Sequence, residues 1–329
     1  MNIYDIAKKA NVSIATVSRV INNSGPVSEK TRQRVNEVMA ELGYSPNIFA
    51  RGLMINSIKT IGVLTIDVQD LYHASAIHTI EVEARLKDYD TILCSTGENI
   101  NDKKKYLKLL LQKRVDGIIL IGSVFKEKTD NSHIIEAASH VPVVMINGYV
   151  KGPNIYSIIC NDSQAVYEMV LHLASKGHKK IIYVYDAETY SGWEKIKGFK
   201  KGMKAINSPI GKNNIIKTEK GIEGGYIAAQ KLLDQKADFT AVITSEDIIA
   251  SGMIKVFNKS GLSVPGDIAV AGFNNSIIAL CTTPELTSVD NKINAISSSA
   301  AKFLIDAIEG KDIPSKTIVE PQLVIRNST

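Results

Sequence analysis

From Lys59 onward, short apolar runs rich in β-branched residues alternate with longer amphipathic segments, and this alternation leaves few folds open. The runs span 60–66, 91–94, 117–121, 141–146, 180–185, 241–244 and 268–273; helical patterns at 74–87, 103–113, 165–176, 229–235 and 248–260 lie between them. Near-continuous apolar strands separated by helices build parallel sheets covered on both faces. There are too many strands for one compact sheet, and the alternation restarts after a break at 151–161. The pattern therefore predicts two doubly wound lobes, with a ligand cleft at the carboxyl ends of the strands. At 329 residues and 44% hydrophobic, the chain can bury such cores.

The first 45 residues follow another rhythm. Ile3, Ile6, Ala7 and Ala10 share one helix face. Asn11 suits the left-handed conformation that ends a helix. Ser13 is a natural N-cap for a second helix over 14–21, whose buried face is Val17, Val20 and Ile21. Ser28 caps a third helix to about Leu42, with Val35, Val38, Met39 and Leu42 as its stripe and Gly43 as its stop. Three short helices with a tight turn between the first two spell a helix-turn-helix. Beyond Pro46, residues 47–54 make about two turns of marginal helix, weakened by Gly52.

Charge agrees with this division. Residues 1–57 carry seven basic and four acidic side chains, so three of the chain's five excess positive charges sit on about a sixth of its length. A module that binds phosphates concentrates charge in this way. The N-terminus has neither a basic n-region nor an apolar h-region, and no window approaches 18 uncharged apolar residues. A cytoplasmic protein without membrane contact is expected. Cys94, Cys160 and Cys281 are few, odd in number and far apart, so buried reduced thiols are expected rather than disulfides or a zinc site. No dinucleotide-binding glycine motif, P-loop, zinc-protease motif or nucleophile elbow occurs. The sequence predicts no catalytic residues, no metal and no cofactor.

Residues 3–22, IYDIAKKANVSIATVSRVIN, resemble the head-piece of the lactose/galactose-repressor family. Tyr44-Ser45-Pro46-Asn47 and Ala50-Arg51-Gly52-Leu53 resemble that family's hinge. Weaker matches continue in family order through Val115-Asp116-Gly117, Lys176-Gly177-His178, Val264-Pro265-Gly266-Asp267 and Pro284-Glu285-Leu286-Thr287. The resemblance implies an α/β protein with an all-α head over 1–45 and a hinge helix over 46–58. Two lobes of the periplasmic-binding-protein type would follow, one from 59–160 with 292–321, the other from 161–291 with 322–329. It also implies a homodimer, a near-palindromic double-stranded DNA operator and a small-molecule effector, so that the chain would be a regulator, and a repressor, of transcription.

On DNA, the resemblance makes Ser13 to Ile21 the recognition helix. Arg19 would donate to guanine O6 and N7, Ile14 and Ala15 would touch thymine methyls, and Ser13, Thr16 and Ser18 would contact bases or phosphates. Tyr4, Asn22 and Thr31 resemble phosphate-contacting positions, which set register. Leu53 resembles the minor-groove wedge, with Asn47 and Ala50 lining the same groove.

For the effector, the resemblance points to Leu71, Tyr72, His73, Asn147, Tyr190, Trp193, Lys195, Glu246 and Asn274. Asn147 and Asn274 stand where many sugar-binding members carry aspartate, and Lys195 where arginine is common. A carbohydrate or related metabolite is expected, with phosphorylated or doubly charged ligands open and a Lys195–Glu246 pair as the alternative in an empty cleft. Asp162 is read first as the N-cap of the helix that follows it. Resemblance to catabolite control regulators keeps a phosphocarrier protein open as partner. A solute-binding protein for transport is the rival at the level of fold.

Overall fold

The computed structural model describes residues 2–21, 24–44, 57–211 and 213–329. By contacts the chain divides into two units, Met1–Lys59 and Thr60–Thr329. The expected hinge helix at 46–58, with Asn47, Ala50 and Leu53, lies almost wholly outside the described residues, as does Asn22.

Among the described residues the first unit holds three helices, α1 (Ile3–Ala10), α2 (Ile14–Ile21) and α3 (Glu29–Glu41). Their ends are set by local chemistry. The Asn2 side chain accepts from Tyr4 and Asp5 backbone N–H groups while Asp5 accepts from Asn2 N, a capping box. Asn11 stops α1 at φ 54°. Ser13 Oγ accepts from Thr16 N at 3.1 Å, and Ser28 Oγ from Thr31 N at 3.3 Å. Ile6, Ala7, Ala10, Val17, Val20, Val35 and Val38 form the core.

The second unit contains two six-stranded sheets. The first takes β1 (Thr60–Thr65), β2 (Asp90–Ser95), β3 (Gly117–Ile121), β4 (Val143–Ile146), β5 (Ile155–Cys160) and β11 (Lys316–Val319), in the order β11-β5-β4-β3-β1-β2, all parallel. The second takes β6 (Ile181–Tyr185), β7 (Ile215–Lys217), β8 (Ala241–Thr244), β9 (Ala269–Phe273), β10 (Thr287–Asp290) and β12 (Gln322–Val324). Its order is β12-β10-β9-β8-β6-β7, with only β12 antiparallel. The lobes are doubly wound sheets of the predicted kind.

Helices α4 (Leu71–Arg85), α5 (Ile100–Gln112) and α6 (Ser132–Ala138) belong to the first lobe. Helix α7 (Asp162–Ser175) precedes β6, and α8 (Tyr190–Ala205), α9 (Gly221–Asp234), α10 (Asp247–Lys259) and α11 (Ile277–Cys281) follow β6, β7, β8 and β9 of the second lobe. Then α12 (Ile293–Ile308) returns to the first lobe and packs its buried Ile296, Ala300, Ala301 and Leu304 with Ile80 and Ile119. The chain thus passes between the sheets after β5, after β10 and between β11 and β12. Asn161 ties two of these passages, donating through Nδ2 to the Glu320 carboxylate at 3.0 and 3.1 Å.

Two expectations are corrected. The segment read as a break contains β5, parallel to β4 with Val143 opposite Ile155. Only residues 147–154 connect them, with no helix, so the strand–helix rhythm fails there although the sheet continues. Cys94 and Cys160 are buried as expected, but Cys281 is exposed at the end of α11, a helix whose only buried residue is Ala279.

In the second lobe, helices approach backbone to backbone. A Cβ on Gly252 would stand 2.4 Å from the Ile222 carbonyl oxygen and 3.1 Å from Gly225 Cα, so α9 and α10 meet through glycines. Alanine raises helix propensity by about 1 kcal/mol but must push the helices apart. Gly252→Ala is expected to lower the stability of this unit by about 1–3 kcal/mol, as read by urea unfolding; an unchanged midpoint would refute the close packing.

Candidate functional site: strand ends and the head surface

In the head, the expected DNA-contacting side chains are outward. Tyr4 is 65% exposed and Ile14 42%, large for groups with apolar surface on so small a unit. Ala15 and Arg19 are also exposed; Thr16, Ser18 and Thr31 are half-buried. The Arg19 aliphatic stem runs beside Gly25, whose Cβ would lie 3.5 Å from Arg19 Cδ. Ser13 and Thr31 spend part of their hydrogen bonding locally: Ser13 Oγ lies 2.9 Å from Thr16 Oγ1, and Ser28 Oγ 2.8 Å from Thr31 Oγ1.

In the second unit, parallel strands bring the loops at their carboxyl ends together. After β1, Asp70 caps α4 by accepting from His73 N at 3.1 Å. Thr65 Oγ1 donates to the Asp67 carbonyl at 3.2 Å and lies 2.7 Å from His73 Nδ1. The Nδ1 contact is thus occupied within the protein, and Nε2 is the ring nitrogen left for another partner, as donor or acceptor according to the tautomer. Burial lowers the His73 pKa and favours the neutral form, against the pull of Asp70 and Asp67. Gly122 after β3 has φ 102°, and a Cβ there would meet His73 Cε1 at 3.0 Å.

Asn147, after β4, does not offer a free amide to the cleft. Its Oδ1 accepts from Cys160 N at 2.8 Å and its Nδ2 donates to Tyr72 Oη at 2.7 Å. Its φ is 56°, a region asparagine tolerates better than most residues. Burial, with Asp162 adding, holds the Tyr72 hydroxyl well above its ordinary range. Asn274, after β9, is similarly occupied: φ is 99°, and Oδ1 accepts from Asn291 Nδ2 at 2.9 Å. The amides at these two positions thus have internal reasons, backbone geometry and bracing.

Asp162 reverses its first reading. The N-cap of α7 is Asn161, whose side chain accepts from Gln164 N, and Asp162 begins the helix. Asp162 is 3% exposed, with Oδ2 accepting from Ser191 Oγ at 2.5 Å, the Cys160 thiol as a weaker donor to the carboxyl, and no nitrogen or hydroxyl donor on Oδ1 among the described residues. Burial raises its pKa, while Lys195 opposes the shift.

Lys195 is 8% exposed. Its Nζ donates to the Ser245 carbonyl at 3.0 Å and lies 3.7 Å from the Phe273 ring centroid. The alternative of a Lys195–Glu246 pair is not formed. Glu246 precedes α10, and its side chain makes no capping bond. Burial, then Asp186 and Asp70, push its carboxyl up to about 8, with Lys195 and Lys220 opposing. Asp247, adjacent, is fully engaged by Ser288 Oγ at 2.5 Å and by Ser276 N and Oγ at 2.7 and 2.9 Å.

The aromatic candidates lie at the rim. Tyr190 is half-buried under Lys126 Nζ, and Trp193 is 42% exposed with Lys128 Nζ 5.1 Å from its ring. Leu71 is exposed at the start of α4. Contacts between the lobes continue in ion pairs, Lys220 with Glu98 and Lys128 with Glu188 at 3.7 Å.

Asp70 and Asp186 were not singled out by sequence. Each follows a strand at its carboxyl end, a positional signal that could have found them. Asp186 accepts from Ser245 Oγ at 2.8 Å. The described residues contain no group of three histidine, cysteine or carboxylate side chains able to hold a metal ion, and no helix long and apolar enough to cross a membrane.

Comparison with known proteins adds to this geometry. Residues 2–47 match bacterial regulatory proteins of the lacI family, and residues 170–329 match a periplasmic binding protein-like domain. The chain is 44% identical to an HTH-type transcriptional regulator of Lachnoclostridium phytofermentans, over 100% of this chain and 99% of the relative. It is 34% identical to the HTH-type transcriptional regulator DegA of Bacillus subtilis, over 99% and 97%. Among solved structures it is similar to the Lac repressor dimer bound to operator and the anti-inducer ONPF, with TM-score 0.91, 25% identity, and coverage of 100% and 98%.

Proposed function

The chain belongs to the lacI family of bacterial regulatory proteins and is a DNA-binding transcriptional regulator, and from that premise we propose a homodimeric repressor governed by a small polyhydroxylated metabolite, a carbohydrate or a relative of one, held between its two lobes. Its relatives are transcription regulators, not enzymes. In each protomer α2 would enter the major groove, with Ile14, Ala15 and Arg19 on base edges and Tyr4, Ser13, Thr16, Ser18 and Thr31 fixing position. Two heads would face two half-sites of a near-palindromic operator, as a dimer of the similar Lac repressor is bound to its operator.

The observation that carries the effector reading is the buried Asp162 carboxylate, held among the described residues by the Ser191 hydroxyl and the weak Cys160 thiol donor, beside a buried Lys195. A buried carboxylate left short of strong donors costs free energy that a ligand hydroxyl would recover. His73 Nε2 supplies a second polar atom for a ligand hydroxyl, which can donate or accept. Ligand binding changes operator affinity only through a difference in affinity between two arrangements of the lobes.

Calorimetric titration of the full-length protein with sugars, sugar phosphates, sugar acids and amino sugars tests this. At least one compound is expected to bind and to shift operator affinity, and Asp162→Asn is expected to weaken it about tenfold, the effect of one charge-assisted hydrogen bond. A protein that binds operator but none of these compounds would end the reading.

A further inference from the structure

The order of strands gives the cleft a hinged side and a free side. The chain passes between the lobes from β5, β10 and β11, and α7 packs beside β10 and β12. β2 is an edge strand of the first sheet, four strand positions from β5; β7 is an edge strand of the second, four positions from β10. Strands stand about 4.8 Å apart, so each free edge is about 19 Å from the passages. An opening of about 10° about the passages would part those edges by about 3 Å.

Charged groups meet across the free side. Glu98, which follows β2, is paired with Lys220, which follows β7. Glu188, which follows β6, stands between Lys217 of its own lobe at 3.3 Å and Lys128 of the first lobe at 3.7 Å. Lys128 Nζ also lies 5.1 Å from the Trp193 ring centroid. The segment that carries Lys128 is pinned from beneath. Lys103, 2% exposed, donates from Nζ to the Val124 carbonyl at 2.7 Å and to Glu127 Oε1 at 2.8 Å. Glu127 N donates to Asn131 Oδ1 at 2.8 Å, and Asn131 Nδ2 returns a bond to the Glu127 carbonyl at 3.1 Å. A charge on a fixed segment loses less entropy on pairing than one on a loose arm. The pairs across the free side exist only while the edges touch, so they distinguish closed lobes from open ones. The Asn161–Glu320 bonds, at the passages, would survive opening.

We propose that Glu98–Lys220 and Lys128–Glu188–Lys217 form an electrostatic clasp that holds the lobes together without a ligand and makes their closure sensitive to ionic strength. The clasp takes from the reading above only that the lobes adopt two arrangements; it does not depend on what the effector is. A ligand that needs closed lobes finds them already closed, and its apparent affinity falls in proportion as the closed fraction falls. One half-exposed ion pair shifts the open-to-closed ratio by about two- to fivefold.

Trp193 is the chain's single tryptophan, and parting the lobes lifts Lys128 from its ring. The test is acrylamide quenching of tryptophan fluorescence in the full-length, ligand-free protein. Glu98→Gln and Lys220→Gln remove the pair in which Lys128 and Trp193 take no part; both side chains are more than half exposed, so the lobe cores are untouched. Each is expected to raise the quenching constant by about 1.5-fold or more, following the rise in the open-to-closed ratio. The swap of Glu98→Lys with Lys220→Glu is expected to restore the parent value. Raising salt to about 1 M, where the Debye length is about 3 Å, should raise quenching more in the parent than in Glu98→Gln. Quenching that ignores both single substitutions and salt would overturn the clasp, as would a change in the single variants that the swap does not reverse. A sugar that still binds such a protein and shifts its operator affinity would leave the effector reading standing.

Discussion

Arg19→Ala is expected to weaken binding to the cognate operator by about ten- to a hundredfold per half-site while lowering nonspecific DNA binding only slightly. A bidentate arginine–guanine contact supplies about 1–3 kcal/mol of discrimination, and about 1.4 kcal/mol is a factor of ten. The side chain is exposed and contributes nothing to the head's core, which is made by Val17 and Val20 on the opposite face of α2. Loss of affinity therefore would not reflect unfolding. In a salt titration the slope of log affinity against log salt should change little, because phosphate neutralisation falls to other residues. Equal losses on operator and random DNA, with a slope reduced by about one, would make Arg19 a phosphate contact instead. The conservative change Arg19→Lys should retain only part of the operator affinity, since an ammonium lacks the planar fork.

The head was legible because its signals are local. Asn2, Asn11, Ser13 and Ser28 cap or stop their helices within four residues of their own positions. The lobes were legible in their central strands, whose apolar runs are continuous, whereas the short β7, β10 and β11 were not read although helices precede them. β5 was not, because eight residues without a helix join it to β4. Nor was α12, whose buried face mixes Ser297, Ala300 and Ala301 with Ile296, Leu304 and Ile305.

The cleft was legible in position more than in chemistry. Residues after parallel strands must converge, which agrees with the positions of Tyr72, His73 and Glu246 that the family resemblance implied. What each side chain binds depends on partners far away in sequence. Asn147 reads as an altered sugar ligand in the sequence, whereas in the fold its amide holds Tyr72 and Cys160. Asp162 reads as a helix cap, but Asn161 takes that role and leaves the aspartate as the buried carboxylate.

Glu246→Gln is expected to stabilise the ligand-free protein at alkaline pH, and the sign follows from linkage. The carboxyl titrates near 4.5 when unfolded and is pushed up to about 8 in the folded chain. Between those values the folded state holds the extra proton, so raising pH costs stability, beginning near the lower value and complete above the upper. A gap of that size corresponds to up to about 4 kcal/mol at pH about 8. Glutamine keeps the shape and removes the titration. Its advantage over the parent should thus be near zero at about pH 4.5 and grow to a few kcal/mol by about pH 8, read as a widening difference in urea midpoints. A difference independent of pH would mean that Glu246 is solvated and ionised in the folded chain, and that the carboxylates at the strand ends do not confront one another.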